Sequence, residues 1–114
     1  MQINEFLTTL IKNPLDINFT DTIAVIDANY TFTPTAFRNG ELQNEAGQNS
    51  GSCKIFSFAQ LHNLTKEQTL QCFGDYYRVD VQQNPAASDH ANIRNFMRFD
   101  WEGIEFFDLA LRWQ

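Results

Sequence analysis

Positive charge is scarce in this 114-residue chain: 8 Lys and Arg stand against 14 Asp and Glu, a formal charge of −6. The deficit runs through both halves, with 3 bases and 6 acids up to residue 57 and 5 bases and 8 acids beyond it. No basic face is concealed by the average, which argues against nucleic acid and anionic membrane as partners. Long apolar runs are missing too. The longest aliphatic stretch is Ile23-Ala24-Val25-Ile26, far short of the about 20 residues that span a bilayer. The first dozen residues alternate polar and apolar and hold one base, Lys12, unlike the basic and then apolar layout of an export signal. Residence in the cytoplasm is the expectation.

Cysteine is as sparse, with only Cys53 and Cys72. Their spacing from His62 and His90 fits no zinc pattern, and no other metal motif is present, so neither metal nor cofactor is expected. Two buried thiols in a reducing compartment is the reading, Cys53 on a strand and Cys72 within a helix. Asn-X-Thr triplets begin at Asn18, Asn29 and Asn63, and Thr20 and Thr65 read as helix caps.

What the chain does have is aromatic residues, 11 Phe, 3 Tyr and 2 Trp. A single domain of this length can bury them in one core. Ile3, Phe6, Leu7, Leu10 and Ile11 fall on one helical face, ended by Asn13-Pro14. A second helix is predicted over 20–29. Residues 30–33 switch to period two, and Asn39-Gly40 is a hairpin dipeptide. Residues 54–58, Lys-Ile-Phe-Ser-Phe, read as a further strand. Thr65 and Gln68 form a capping box opening a long helix to about Gln83, with Gly74 inside it implying close approach by another element or a ligand. Ser88 or Asp89 caps another helix carrying Ile93, Phe96 and Met97. Residues 104–111 read as a terminal strand. The sum is α+β, mainly helical, residues 1–114 as one domain with a small antiparallel sheet.

Chemistry concentrates in three segments. The stretch from Asn39 to Ser52 holds three of the five glycines and reads as a long irregular loop, in which Asn39, Asn44, Asn49 and Ser52 surround an oxygen-rich ligand and Lys54 adds charge. Arg78 lies three residues after Asp75, within pairing distance on a helix. Asp89, His90 and Arg94 start a helix, with His90 and Arg94 on one face suited to an anion. Cys53 beside Lys54, with His62 or His90 as base, is the alternative nucleophilic site. The partner expected on these grounds is a protein or a small polar or anionic ligand.

Four blocks carry a family resemblance. Residues 30–40 (Tyr-Thr-Phe-Thr-Pro-Thr-Ala-Phe-Arg-Asn-Gly), 44–56, 72–78 (Cys-Phe-Gly-Asp-Tyr-Tyr-Arg) and 89–97 (Asp-His-Ala-Asn-Ile-Arg-Asn-Phe-Met) resemble the HopJ type III effector family over roughly residues 5 to 107. The resemblance implies no catalytic residues and no defined activity. Its name implies injection into a host cell and action on a host protein, whereas the amphipathic pattern here begins at Ile3 instead of following a flexible leader.

Overall fold

The computed structural model describes residues 2–114. Among these residues, five α-helices and five short strands follow one another as α1 (Ile3–Lys12), α2 (Phe19–Asn29), β1 (Tyr30–Phe32), β2 (Phe37–Asn39), β3 (Leu42–Asn44), α3 (Ser50–Leu61), α4 (Lys66–Gln71), a π-helical segment (Tyr76–Val81), α5 (Ala91–Phe99), β4 (Ile104–Phe106) and β5 (Leu111–Trp113). All strand pairs are antiparallel, in two small sheets: β1 with β5, and β3-β2-β4. The α+β, mainly helical architecture follows the sequence pattern.

Helix α1 buries Phe6 and Leu10 and half-buries Ile3 and Leu7, while Ile11 turns out to solvent at 64% exposure. Helix α2 starts one residue before the predicted position. Its cap is Asn18, not Thr20, and the Asp21 carboxylate accepts the Asn18 N–H at 3.0 Å. Helix α4 carries the capping box as predicted: Gln68 N–H donates to Thr65 Oγ1 at 3.1 Å and Thr65 N–H to Gln68 Oε1 at 3.0 Å.

Residues 54–58 belong to helix α3 and not to a strand. Ile55, Phe56, Ser57, Phe58 and Ala59 are buried in succession. A helix enclosed on all sides shows no polar stripe, so its sequence resembles a buried strand. This helix is the axle of the core. Phe56 meets Phe37, Phe73 and Phe96 at ring-centroid distances of 6.0, 5.5 and 5.0 Å, and Phe58 meets Phe6 and Tyr30 at 5.7 and 6.1 Å. Burying each such ring contributes about 2–3 kcal/mol.

The segment 39–52 is not a long loop. Residues Gly40 and Glu41 connect β2 to β3, with Gly40 at φ +64, and α3 begins at Ser50. The helix predicted from Thr65 to Gln83 is interrupted. Gly74 adopts φ +60, and a Cβ there would lie 2.6 Å from the backbone nitrogen of Phe19. Close approach by another element is therefore its reason, the start of α2 packing against it. The chain then resumes as the π-helical segment. The terminal strand is split, β4 pairing with β2 and β5 with β1.

Cys53 lies in α3, not on a strand, and Cys72 closes α4; both are buried and free. Burial pushes the Cys53 thiol up, and its Sγ donates to Thr35 O at 3.5 Å. Burial pushes Cys72 up to about 12. No helix is long and apolar enough to cross a membrane among the described residues.

Candidate functional site

Helices α3 and α5 each begin from a residue in the left-handed conformation. Asn49 has φ 51 and ψ 49, and His90 has φ 52 and ψ 50. An ordinary cap is extended and folds its side-chain oxygen back onto the first turn; neither residue does so here. Among the described residues, the N–H groups of Ser50, Gly51, Ser52, Ala91, Asn92 and Ile93 have no acceptor. The positive ends of the two helix dipoles meet at one cavity of about 420 Å³.

Phe19 and Tyr76 wall this cavity, with Phe73, Ile93 and Leu42 supplying its remaining apolar lining. The Phe19 and Tyr76 rings meet edge to face at 5.0 Å, and Tyr76 lies 5.1 Å from His90 at an interplanar angle of 34°. Gly51 lets Phe19 take that place, since a Cβ on Gly51 would be 2.8 Å from its ring. Tyr76 is 44% exposed at the rim.

Behind the cavity lies a buried network of amides. Asn92 Oδ1 accepts from Asn39 Nδ2 at 3.0 Å and from Asn44 Nδ2 at 3.2 Å, while its own Nδ2 donates to Asn44 Oδ1 at 2.9 Å. Asn49 Nδ2 also donates to Asn44 Oδ1, at 2.7 Å, and Asn95 Nδ2 to Asn39 O at 2.9 Å. The β2-β3 hairpin and both open helix starts are thus fixed to one another. Asn39 Oδ1 is buried with no hydrogen-bond donor, a cost of about 1–3 kcal/mol that the rest of the network offsets.

The charged groups around the site are paired. His90 Nε2 lies 3.0 Å from Asp80 Oδ2. Arg94 Nη2 donates to Asp89 Oδ1 at 2.7 Å, and that bond holds the Asp89 carboxyl below the usual carboxylate range. The expected His90–Arg94 face for an anion is not formed, because Arg94 also donates to Asp89 O and Pro85 O and lines a different groove.

Of the residues predicted from sequence, Asn49, Ser52 and His90 line the cavity. Asn39 and Asn44 stand behind it, connected through Asn92, and Asp89 flanks it as the partner of Arg94. Two cations are occupied elsewhere. Lys54 Nζ pairs with Asp27 Oδ1 at 2.8 Å over the ring of Phe32. Arg78 straps the π-helical segment to the turn before α2, donating to Ile17 O at 2.6 Å and to Gln71 Oε1 at 2.8 Å, with Asp75 at 3.8 Å.

The Cys53 thiol has neither an adjacent cation nor a histidine base in this arrangement. Lys54 faces Asp27, His62 is bonded to Tyr30, and His90 to Asp80. Sequence reasoning missed Phe19 and Asn92. For Phe19 a signal existed in Gly51 and Gly74, both of which it or its backbone fills; for Asn92, a polar residue at a core-facing helix position was the available clue.

Among the described residues no group of three or more His, Cys, Asp or Glu is placed to hold a metal ion. No curated protein matches the sequence. In three dimensions the chain is similar to the crystal structure of VPA0580, a protein of unknown function, with a TM-score of 0.98 and 53% identity over 100% of this chain and 95% of that one. Residues 3–111 match the family described as HopJ type III effector protein, and the chain belongs to that family.

Proposed function

We propose that this HopJ-family protein is a small binding domain that takes a polar or anionic small molecule, or the corresponding side chain of a protein, in the cavity between the starts of α3 and α5. The observation that supports it is the meeting of two uncapped helix starts, each with three free N–H groups, beside the Phe19–Tyr76 wall. Small-molecule sites combine an apolar lining with a few fixed polar groups in this way. Of the carboxylates beside the cavity, Asp89 is paired with Arg94 and Asp80 is hydrogen-bonded to His90. Two free, buried thiols fit a reducing compartment, and we read the protein as cytoplasmic.

A titration followed by amide NMR, using benzoate, acetate and inorganic phosphate as probes, tests the reading. Saturable shifts confined to residues 49–52, 76 and 90–93, lost in Tyr76→Ala, are the expected result. Shifts scattered over the surface, or unchanged by the substitution, sink it. Delivery into a host cell, which the family's description implies, is a separate question of transport. A reporter fused to the first 20 residues answers it: absence of export by a type III apparatus removes the effector reading.

A further inference from the structure

A second surface is distinguished by its charge. Four of the eight cations sit against carboxylates: Arg38 with Glu105, Lys54 with Asp27, Arg78 with Asp75 and Arg94 with Asp89. Two of the other four, Lys66 and Arg98, are each placed at the last turn of α5. Lys66 Nζ donates to Met97 O at 2.9 Å, and the exposed Arg98 guanidinium lies over the Phe99 ring at 5.1 Å. Arg98 also lines a groove of about 480 Å³ with Val81, Gln82, Pro85, Arg94 and Met97. No carboxylate lines it. In a chain of charge −6, uncompensated positive charge is thus gathered beside an apolar floor.

We propose that this groove docks an acidic peptide segment of a partner protein, with an apolar side chain against Val81, Pro85 and Met97 and flanking carboxylates on Arg98 and Lys66. The chain's overall negative charge does not prevent this. At physiological ionic strength fields are screened within about 8 Å, so the cations at the rim decide the sign that an approaching segment meets. Exposed ion pairs contribute little alone, so affinity comes from the apolar side chain and the carboxylates supply orientation and discrimination. A nucleic acid would offer negative charge but no aliphatic side chain for the floor.

The test uses the full chain and fluorescence anisotropy. One labelled probe peptide has leucines flanked by glutamates; a second has the same leucines flanked by lysines; a third has the glutamates with serine replacing leucine. Saturable binding of the first alone is expected, weakened about tenfold by Arg98→Glu and by raised salt, with amide shifts confined to residues 66 and 81–98. Arg98 is exposed, so its variant should keep the parent's melting temperature, which is checked in parallel. Equal binding of the lysine peptide, indifference to Arg98→Glu, or no saturation of the first peptide by about 1 mM, the weak end of specific recognition, overturns the proposal. Preferential binding of an RNA oligonucleotide or of phosphatidylserine vesicles overturns it as well.

Discussion

Helices α2 and α4 begin closed, whereas helices α3 and α5 begin open. In the first pair a side-chain oxygen returns to the cap: Asp21 to Asn18 N–H, and Thr65 and Gln68 to each other. In the second pair the cap residue is left-handed and the first-turn N–H groups are left without protein acceptors. A non-glycine residue in that conformation costs about 1–2 kcal/mol, and forgoing a cap costs about 1 more. The open starts are the ones that face the Phe19–Tyr76 cavity. Stability has been placed in one pair of helix ends and an accessible polar surface in the other.

The largest expected effect comes from breaking the contact that joins the two kinds of start. Gly74→Ala forces a Cβ against the backbone at Phe19 and strains a φ of +60; it should destabilise by about 4 kcal/mol in urea unfolding. A change below about 1 kcal/mol would mean that the α2 start yields easily and does not fix the aromatic wall. Next is Asn92→Ala, which removes the amide shared by Asn39 and Asn44. Three buried bonds are lost, while Asn39 Nδ2 keeps Asn92 O and Asn44 Oδ1 keeps Asn49 Nδ2; the loss should cost about 2–3 kcal/mol, measured in the same way.

Two smaller substitutions separate the closed from the open starts. Thr65→Ala at a closed start should cost about 1 kcal/mol. Asn49→Gly at an open start should change stability by less than about 0.5 kcal/mol, because relief of the left-handed backbone offsets the lost bond to Asn44. Equal losses at both sites, read from chemical denaturation, would erase the distinction.

The smallest effect lies at the other end of α3, where His62 is enclosed by Phe58, Tyr30 and Trp113 and its Nε2 meets Tyr30 Oη at 2.7 Å. Burial lowers its pKa below the usual 6.5. The folded state then binds the proton less readily than the unfolded state, so the contribution is fully present above pH 6.5 and is lost as pH falls from there through the depressed value. Melting temperature should decline over that acid window in the parent and decline less in His62→Gln. An identical slope in the two would remove His62 as the cause.

The closed start of α4 is legible in the sequence; the cap of α2, Asn18 in place of the expected Thr20, and the two open starts are not. The Thr65 box is a local pattern, and the stripe of α1 and the turn glycine after Asn39 are also local, so each is readable within a few residues. Helix α3 was misread because Ile55 to Ala59 are buried on every side, and periodicity has nothing to report there. The asparagines of residues 39–49 looked like loop residues, although Asn39 and Asn44 are core residues whose amides pair with Asn92 some fifty positions on. Three of the nominated site residues, Asn49, Ser52 and His90, line the cavity. The cations were the hardest to place, since Lys54, Arg78 and Arg94 found partners that only the tertiary fold brings near.

The Asn39-Gly40 junction bears on how the protein ages. An Asn-Gly pair deamidates when the glycine nitrogen attacks the asparagine side-chain carbonyl carbon, expelling ammonia and leaving a cyclic imide that water opens to a carboxylate. Here the Gly40 N–H is engaged with Gly103 O at 2.9 Å, and the Asn39 amide is completely buried and tied to Asn92. Ring closure therefore waits for the hairpin to part from the turn at Gly103. Deamidation at Asn39 is thereby confined to the time the hairpin spends open, and each deamidation would install a negative charge among the amides behind the cavity.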